Sequence, residues 1–305
     1  MALGSAGDPV GTVLADLTDG FSVEITPREA RKLLPLGEVL ALGTRVYITY
    51  LANTDFSETV EVAARAVAEG MRPVPHLAAR AIPDLAALRE MAAALAAVGV
   101  ADALVIAGSV TKPAGQFHDT MQVLNTGVLP EHGIRRIGVA GHPEGTPDID
   151  DAALAAALAA KNALAVEQDL ELGLVTQFCF DPDPIVEWER RIRAAGNRLP
   201  ITIGLAGLTS PAKLVKFGLT CGIGPSLKVL RKQTGGVLKL ATAPVYHPDQ
   251  TMVGVARSIV ADPDSLIRGL HFFPFGSLER TAAWAGDVAA GRFEVDGRDR
   301  FQVTA

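Results

Sequence analysis

Cysteine and aromatic residues are scarce in this sequence. Of 305 residues, two are cysteines, Cys179 and Cys221, and 5% are aromatic. Two cysteines without the spacing of a metal site exclude a disulfide-stapled scaffold and favour a reducing compartment, so we expect a cytoplasmic protein. Glycosidase chemistry would need two facing carboxylates, and few aromatic rings are present to stack on sugars, so this class is disfavoured.

Long apolar runs and an excess of positive charge are also absent. No apolar stretch reaches the roughly 18 residues that a membrane span requires. The first 20 residues carry Asp8, Asp16 and Asp19 where a signal peptide would be basic and then apolar. The formal net charge of −6 argues against nucleic acid or an anionic membrane as the main partner. We therefore expect a soluble protein that acts on small molecules.

Three motifs of common barrel and nucleotide enzymes are missing as well. The chain has no His-x-His pair of the kind that barrel metallohydrolases place on an early strand, so we expect no metal site. None of the predicted strands contains the lysine that a Schiff-base aldolase needs. The turn after the first strand, Thr26-Pro27-Arg28-Glu29, lacks the G-x-G-x-x-G of an open dinucleotide-binding sheet.

Short β-branched runs are present, and they alternate with segments that have helical spacing of apolar residues. The predicted strands are residues 21–26, 45–50, 72–77, 103–107, 136–140, 174–178, 201–205 and 269–273. The predicted helices are residues 57–69, 85–98, 150–171, 184–195, 211–219 and 278–289. Eight such units predict an α/β fold, a closed (β/α)₈ TIM barrel, with two extra helices between strands 7 and 8.

This pattern divides the chain into a barrel and two flanking segments. Residues 1–19 form an N-terminal extension, residues 20–291 the catalytic barrel, and residues 292–305 a C-terminal tail that packs as an arm on the barrel or on a neighbouring subunit. Alanine-rich helices outside a barrel often pack between subunits, so we expect a homo-oligomer without a defined subunit number.

Polar residues recur where the predicted strands end. They are Glu24, Thr49, His76, Gly108, Ser109, His142, Glu144, Thr176, Gln177 and His271. Each has an ordinary structural explanation, such as strand propensity or a satisfied core histidine. Because the carboxyl ends of barrel strands meet at one mouth, polar groups on seven strands together predict an active site there.

Glu24 is the most informative of these residues. It interrupts Phe21-Ser22-Val23-Glu24-Ile25-Thr26-Pro27, which otherwise reads as a buried strand. A buried carboxylate is costly unless it is paired or its pKa rises, and a raised pKa suits a general acid near neutral pH. The alternative is an edge strand on which Glu24 faces solvent.

Several short motifs occur in order along the chain. They are Ser22-Val23-Glu24-Ile25-Thr26-Pro27, Thr49-Tyr50, Pro75-His76-Leu77, Gly141-His142-Pro143-Glu144-Gly145 and Thr176-Gln177-Phe178-Cys179-Phe180. This ordered set resembles the 5,10-methylenetetrahydrofolate reductases, whose patterns read S-F-E-F-F-P, V-T-Y, P-H-L-T, Y-P-E and T-Q-F-F-F. The resemblance runs from about residue 20 to about residue 275.

The resemblance implies a flavin-containing barrel that makes 5-methyltetrahydrofolate. NADH or NADPH would reduce bound FAD, which would pass hydride to the one-carbon unit of 5,10-methylenetetrahydrofolate. Glu24 falls on the family's general acid, and Gln177 on the residue that binds the pterin. The cofactor positions are Thr49, His76, Ile106, Ala107, Gly108, Ser109, His142 and Lys161, and Phe273 stands where a tyrosine touches substrate.

Departures from the family pattern fall on the flavin side of the site. Ser109 replaces an aspartate near the flavin N1, His142 replaces the tyrosine of Y-P-E, and Ser277 replaces an arginine that touches substrate. Loss of the aspartate would favour the anionic reduced flavin. Two alternatives follow: a flavin-independent folate reductase of the same fold, in which the nicotinamide reduces the folate directly, or a barrel that binds folate or flavin without turnover.

Overall fold

Eight parallel strands close into a barrel in chain order. The computed structural model describes residues 8–51, 54–108, 110–146, 149–214, 245–296 and 300–304. The barrel strands are β1 Ser22–Ile25, β2 Arg45–Ile48, β3 Arg72–Ala78, β4 Asp102–Ile106, β5 Arg136–Gly141, β6 Glu171–Phe178, β7 Ile201–Ala206 and β8 Ile267–Phe273. β1 pairs with both β2 and β8, which closes the sheet. The predicted TIM barrel and all eight of its strands are confirmed.

Helices connect the strands around the outside of the barrel. They are α1 Pro9–Thr18, α2 Pro27–Ala30, α3 Leu36–Val39, α4 Phe56–Ala68, α5 Leu85–Ala97, α6 Thr120–Leu124, α7 Val128–Glu131, α8 Asp151–Glu167, α9 Pro182–Ala194, α10 Asp249–Ala261 and α11 Leu278–Ala289. Five helices begin after an aspartate that accepts a first-turn backbone N–H: Asp55, Asp84, Asp119, Asp150 and Asp181. These caps satisfy donors that helix geometry leaves unpaired, and so fix where each helix starts.

The connection between β7 and β8 is partly described. Residues 211–214 are helical, at the start of the helix predicted over 211–219. Helix α10 is one of the two extra helices predicted in this connection, and it packs on α9 and α1. The remainder of the helix predicted over 211–219 and the other extra helix fall in residues 215–244, outside the described residues.

Both terminal segments pack on the barrel. Helix α1 precedes β1 and contacts β8, α10 and α11. The C-terminal tail forms an antiparallel hairpin, β9 Phe293–Asp296 and β10 Arg300–Val303. Phe301 of this hairpin stacks on Trp284 of α11 with ring centroids 5.6 Å apart. Across the part of the chain that the structure describes, no helix is both long and apolar enough to cross a membrane.

Side-chain alternation along the strands creates two apolar layers. Val23, Ile25 and their counterparts on other strands pack outward against the helices. Inside the barrel lie Tyr47, Val74, Leu104 and Val175. At the N-terminal ends of the strands, Asp102 forms ion pairs with Arg72 and Arg136, an arrangement that serves stability. The opposite, C-terminal ends of the strands are therefore where a functional site is expected.

Candidate active site

Glu24 lies inside the barrel near the C-terminal end of β1. Its neighbours Val23 and Ile25 belong to the outer apolar layer, so alternation turns the Glu24 side chain inward. β1 is paired on both sides, and the Glu24 side chain is 17% exposed. The alternative of an edge strand with a solvent-facing glutamate is therefore wrong.

Two histidines flank the Glu24 carboxylate. His76 Nε2 lies 3.4 Å and His271 Nε2 lies 3.7 Å from Glu24 Oε2. Both imidazoles are buried, and a 2.9 Å hydrogen bond joins His271 Nδ1 to Ser22 Oγ. Strands β1, β3 and β8 thus bring one carboxylate and two imidazoles together. We call Glu24, His76 and His271 the mouth triad.

The pKa of Glu24 is lowered, and our expectation of a raised pKa is wrong. Burial by itself raises this pKa, but the contact with His271, the positive charge that His76 and His271 can carry, and the Thr49 hydroxyl together outweigh burial. Glu24 is therefore ionised near neutral pH in the protein without ligand. It must receive a proton before it can donate one, and the two histidines are its nearest titratable neighbours.

His76 is a buried imidazole with an unsatisfied nitrogen. Burial lowers its pKa, and the opposing charge of Glu24 does not compensate, so the ring is neutral near neutral pH. Its Nε2 lies within ion-pair distance of Glu24 but makes no hydrogen bond of acceptable geometry to any described residue. A buried polar atom without a partner is costly, and at a barrel mouth it is a candidate ligand contact.

Tyr47 belongs to this site, although the sequence analysis did not single it out. Its ring centroid lies 4.4 Å from that of His271 and 6.1 Å from that of His76. Burial raises the pKa of Tyr47 to about 12, so its hydroxyl stays protonated. The sequence signal was its position two residues before Thr49, because residues two apart in a strand share one face.

A bulge in β6 gives Thr176 and Gln177 different roles. The register of β6 against β7 shifts between Val175 and Phe178. Thr176 is 2% exposed, and its Oγ1 accepts a hydrogen bond from Gly204 N at 2.8 Å, so it joins two strands and does not line the mouth. Gln177 is exposed, and its Oε1 accepts a hydrogen bond from Phe178 N at 3.1 Å. Of the two, Gln177 is accessible to a ligand, at the position where the resemblance places the pterin.

Cys179 behaves as a packing residue, as its position in the sequence predicts. It is 3% exposed, and burial raises the pKa of its thiol to about 12. A thiol that stays protonated at neutral pH is a poor nucleophile. Among the described residues, no three or more histidine, cysteine or acidic side chains form a group that could hold a metal ion.

A cavity of about 230 Å³ lies beyond the C-terminal ends of β2 and β3, and its lining does not include the mouth triad. It begins one residue beyond Thr49, whose hydroxyl is close enough to Glu24 to lower the pKa of that carboxyl. Its mostly apolar lining includes Tyr50, Phe56, Ala78, Ile82 and Met91. Phe56 belongs to α4 and Met91 to α5, so the cavity lies between the strand ends and these helices.

The segment at the end of β4 is the one that the resemblance places along the edge of the flavin ring. Ile106 ends β4, and Ala107 and Gly108 follow it. Gly108 has a φ of 89°, and a Cβ there would lie 3.1 Å from Ala78 Cβ, so glycine is required for both its conformation and its lack of a side chain. Ser109 lies outside the described residues.

A buried cation lies on the β5 side of the mouth. Lys161 of α8 is 8% exposed, and burial lowers its pKa, although the charge of Asp119 opposes the shift. Within the described residues its ammonium group makes no hydrogen bond and no ion pair. His142, which follows β5, lies close enough for the two charges to interact. A desolvated ammonium that forms no ion pair with Asp119 favours an anionic ligand.

We expect His142 to make the protein less stable in mild acid. Burial, helped by the charge of Lys161, lowers the pKa of His142 from 6.5 to about 4. Between those values the unfolded chain binds a proton that the folded protein does not, so the free energy of unfolding falls as pH decreases from 6.5 to 4. The full loss is about 3 kcal/mol.

Denaturant unfolding at pH 7 and pH 5 measures this effect. His142→Gln should reduce the difference in unfolding free energy between the two pH values, because it removes the titrating group. His132→Gln is the matched control, since its ring is half-buried at the C-terminal end of α7 and its Nδ1 donates to Val128 O. An unchanged pH difference in His142→Gln would contradict the assignment.

Aromatic side chains line the β6 to β8 side of the mouth. The Phe273 ring centroid lies 4.7 Å from that of His271 and 5.3 Å from that of Phe178, and Phe275 stacks on Phe273 at 6.2 Å. We call Phe178, Phe273 and Phe275 the aromatic wall. A Cβ on Gly204 would lie 2.8 Å from Phe273 Cε2, so the ring occupies space that this glycine leaves open.

Comparisons with known proteins found distant structural likenesses. No protein-family model matches it. A family GH18 chitinase from Chromobacterium violaceum is 10% identical with a TM-score of 0.49, the match covering 89% of this chain and 83% of the chitinase chain. A DHPS from Yersinia pestis is 15% identical with a TM-score of 0.46, covering 96% and 99% of the two chains. Identities and TM-scores this low carry no information about the reaction.

Proposed function

We propose that this protein is a 5,10-methylenetetrahydrofolate reductase that uses NADH or NADPH. The observation that carries the proposal is the mouth triad, which places the Glu24 carboxylate against two buried imidazoles where the strands of a barrel end. Gln177 is accessible at the same mouth. The ordered motifs around Glu24 and Gln177 supply the substrate class.

Reduction of this folate needs a proton and a hydride at different atoms. The bond between the bridging carbon and N10 breaks, its electron pair stays on N10, and a proton from Glu24 neutralises that nitrogen. The remaining cation, an iminium at N5, accepts hydride on its carbon and becomes the 5-methyl group. A positioned acid contributes typically about 10²–10⁴-fold to such a step.

The mouth triad provides a route for the proton to reach Glu24. Glu24 is ionised without ligand, but a bound ring would displace water from the carboxylate and raise its pKa. His271 lies 3.7 Å away and is hydrogen-bonded to Ser22 on its other nitrogen, so it can pass a proton to Glu24 and be held in one orientation. Neutral Tyr47 packs against His271 and limits the movement of its ring.

The residues of the mouth fit a dinucleotide cofactor such as FAD. The buried Lys161 side chain provides a positive charge for a pyrophosphate, with His142 beside it. Thr49, His76 and the 106–108 segment would hold the ring system. FAD when bound would supply hydride taken from NADH or NADPH.

A flavin-independent reductase is the second candidate. It is favoured by Ser109, which stands where the resemblance expects the aspartate at the flavin ring. The Lys161 charge suits the pyrophosphate of NADH or NADPH as well as that of FAD. A barrel that binds folate without turnover is less favoured, because simple binding does not need a carboxylate held between two buried imidazoles.

An absorption spectrum and a coupled assay on the purified protein test these candidates. We expect NAD(P)H-dependent conversion of 5,10-methylenetetrahydrofolate to 5-methyltetrahydrofolate. Flavin absorbance together with activity supports the leading proposal, and activity without flavin absorbance supports direct hydride transfer. Folate binding with no product, in the presence of FAD and both nicotinamide cofactors, would refute both reductase proposals in favour of a binding protein.

A further inference from the structure

The turn after β8 holds a bulky residue in a backbone conformation that normally requires glycine. Phe275 has a φ of 49° and Gly276 a φ of 78°, and Ser277 N donates to Pro274 O at 3.0 Å. Positive φ at both central residues is the pattern of a type I′ turn, in which glycine, asparagine and aspartate are favoured. An aromatic residue there is strained, and such strain is concentrated at functional sites.

The turn fixes the position of the Phe275 ring in the aromatic wall. Its centroid lies 5.2 Å from that of Phe178 in an edge contact, and its plane is 21° from that of Phe273. Phe178 is fully buried, whereas Phe273 and Phe275 are half-buried and retain surface at the mouth. A rigid ring that is supported from behind and accessible at one side is suited to stacking on a flat ligand.

The order of the rings indicates which part of a ligand each would meet. His271 of the mouth triad contacts Phe273, and Phe273 in turn contacts Phe275. The Phe273 ring edge and the Gln177 carbonyl both lie 2.8 Å from the position of a Cβ on Gly204. Phe273 is therefore next to the proposed pterin end of the site, and Phe275 lies one ring farther from Glu24.

We propose that Phe275 is a specificity-determining residue that stacks on the aminobenzoyl ring of the folate. This inference rests on the proposed function, because it needs the pterin to lie between Gln177 and Glu24. Ser277 in the same turn offers no positive charge, and the Lys213 ammonium beside the turn donates to Phe275 O at 3.5 Å, so the Phe275 ring is the group of this turn that can stack on the substrate. The expected substrates carry an aryl group beyond the pterin.

Binding of two ligands, measured by titration calorimetry, tests this proposal. Folic acid contains both the pterin and the aminobenzoyl ring, and 6-methylpterin contains the pterin alone. Phe275→Leu keeps an apolar side chain, and Phe275→Asn suits the left-handed turn, but both remove the ring. We expect each variant to bind folic acid about tenfold more weakly, because stacking on one aromatic side chain has about this value. Binding of 6-methylpterin should be unchanged.

Controls separate this proposal from a general effect on the fold. Phe301→Leu removes a buried ring from the C-terminal hairpin, away from the mouth, and should leave both affinities unchanged. Equal weakening of both ligands by the Phe275 variants, or no weakening of either, would overturn the role of Phe275 while the proposed function stands. A wild-type protein that binds neither ligand would overturn the proposed function itself.

Discussion

Glu24→Gln is expected to lower folate reduction by about 10²–10⁴-fold, the usual contribution of a positioned general acid. Glutamine has nearly the shape of glutamate, so the barrel mouth should keep its structure. The glutamine side chain cannot accept a proton from His271 or deliver one to N10. Oxidation of NAD(P)H by an artificial electron acceptor should continue in a flavin-containing protein, since that half of the reaction needs no proton from Glu24.

Steady-state rates with 5,10-methylenetetrahydrofolate and with the artificial acceptor provide the two measurements. Glu171→Gln is a matched control, because Glu171 is an exposed carboxylate at the start of β6, at the end of the barrel opposite the mouth. This control should retain both activities. Near-normal folate turnover in Glu24→Gln would show that another group supplies the proton.

Lys161→Met is expected to have opposite effects on stability and on dinucleotide binding. The Lys161 side chain is buried, and desolvation of its ammonium lowers the pKa, so its replacement by an apolar side chain of similar length should raise the free energy of unfolding. The expected gain is about 1–3 kcal/mol, the usual cost of desolvating a polar group in a protein. Loss of a charge-assisted contact to phosphate should weaken dinucleotide binding by about 10–100-fold.

Denaturant unfolding and titration with FAD, NADH and NADPH measure these two effects. Lys32→Met makes the same change at an exposed lysine after α2 and should alter neither quantity. If Lys161→Met bound all three dinucleotides as tightly as the wild type, the anion site would not be at Lys161. A destabilised variant would instead show that the lysine stem is needed for packing.

Local sequence patterns predicted the framework of the site correctly. Side chains alternate between the two faces of a strand. The apolar neighbours Val23 and Ile25 pack against the helices, so alternation predicts that Glu24 points away from them. The same reasoning placed His76 and Gln177 at strand ends. It was wrong about Thr176, because a register shift between β6 and β7 directs that side chain into a hydrogen bond with Gly204.

Interactions between distant segments could not be predicted in this way. Ser22 and His271 are 249 positions apart, yet their hydrogen bond orients the imidazole beside Glu24. Because a pKa depends on which charges lie within a few ångströms, no pattern around Glu24 could show that its pKa falls despite burial. Lys161 likewise belongs to an alanine-rich helix, and only packing shows that its side chain is buried.

The sequence by itself therefore determined the barrel, the end of the barrel that bears the polar residues, and the presence of a carboxylate among them. The tertiary structure decided the ionisation of that carboxylate, its two imidazole neighbours, and the strained turn that fixes Phe275. The physical reason is range: hydrophobic periodicity and helix caps act over a few neighbouring residues, whereas charge and stacking act through space between strands that only the closed barrel brings together.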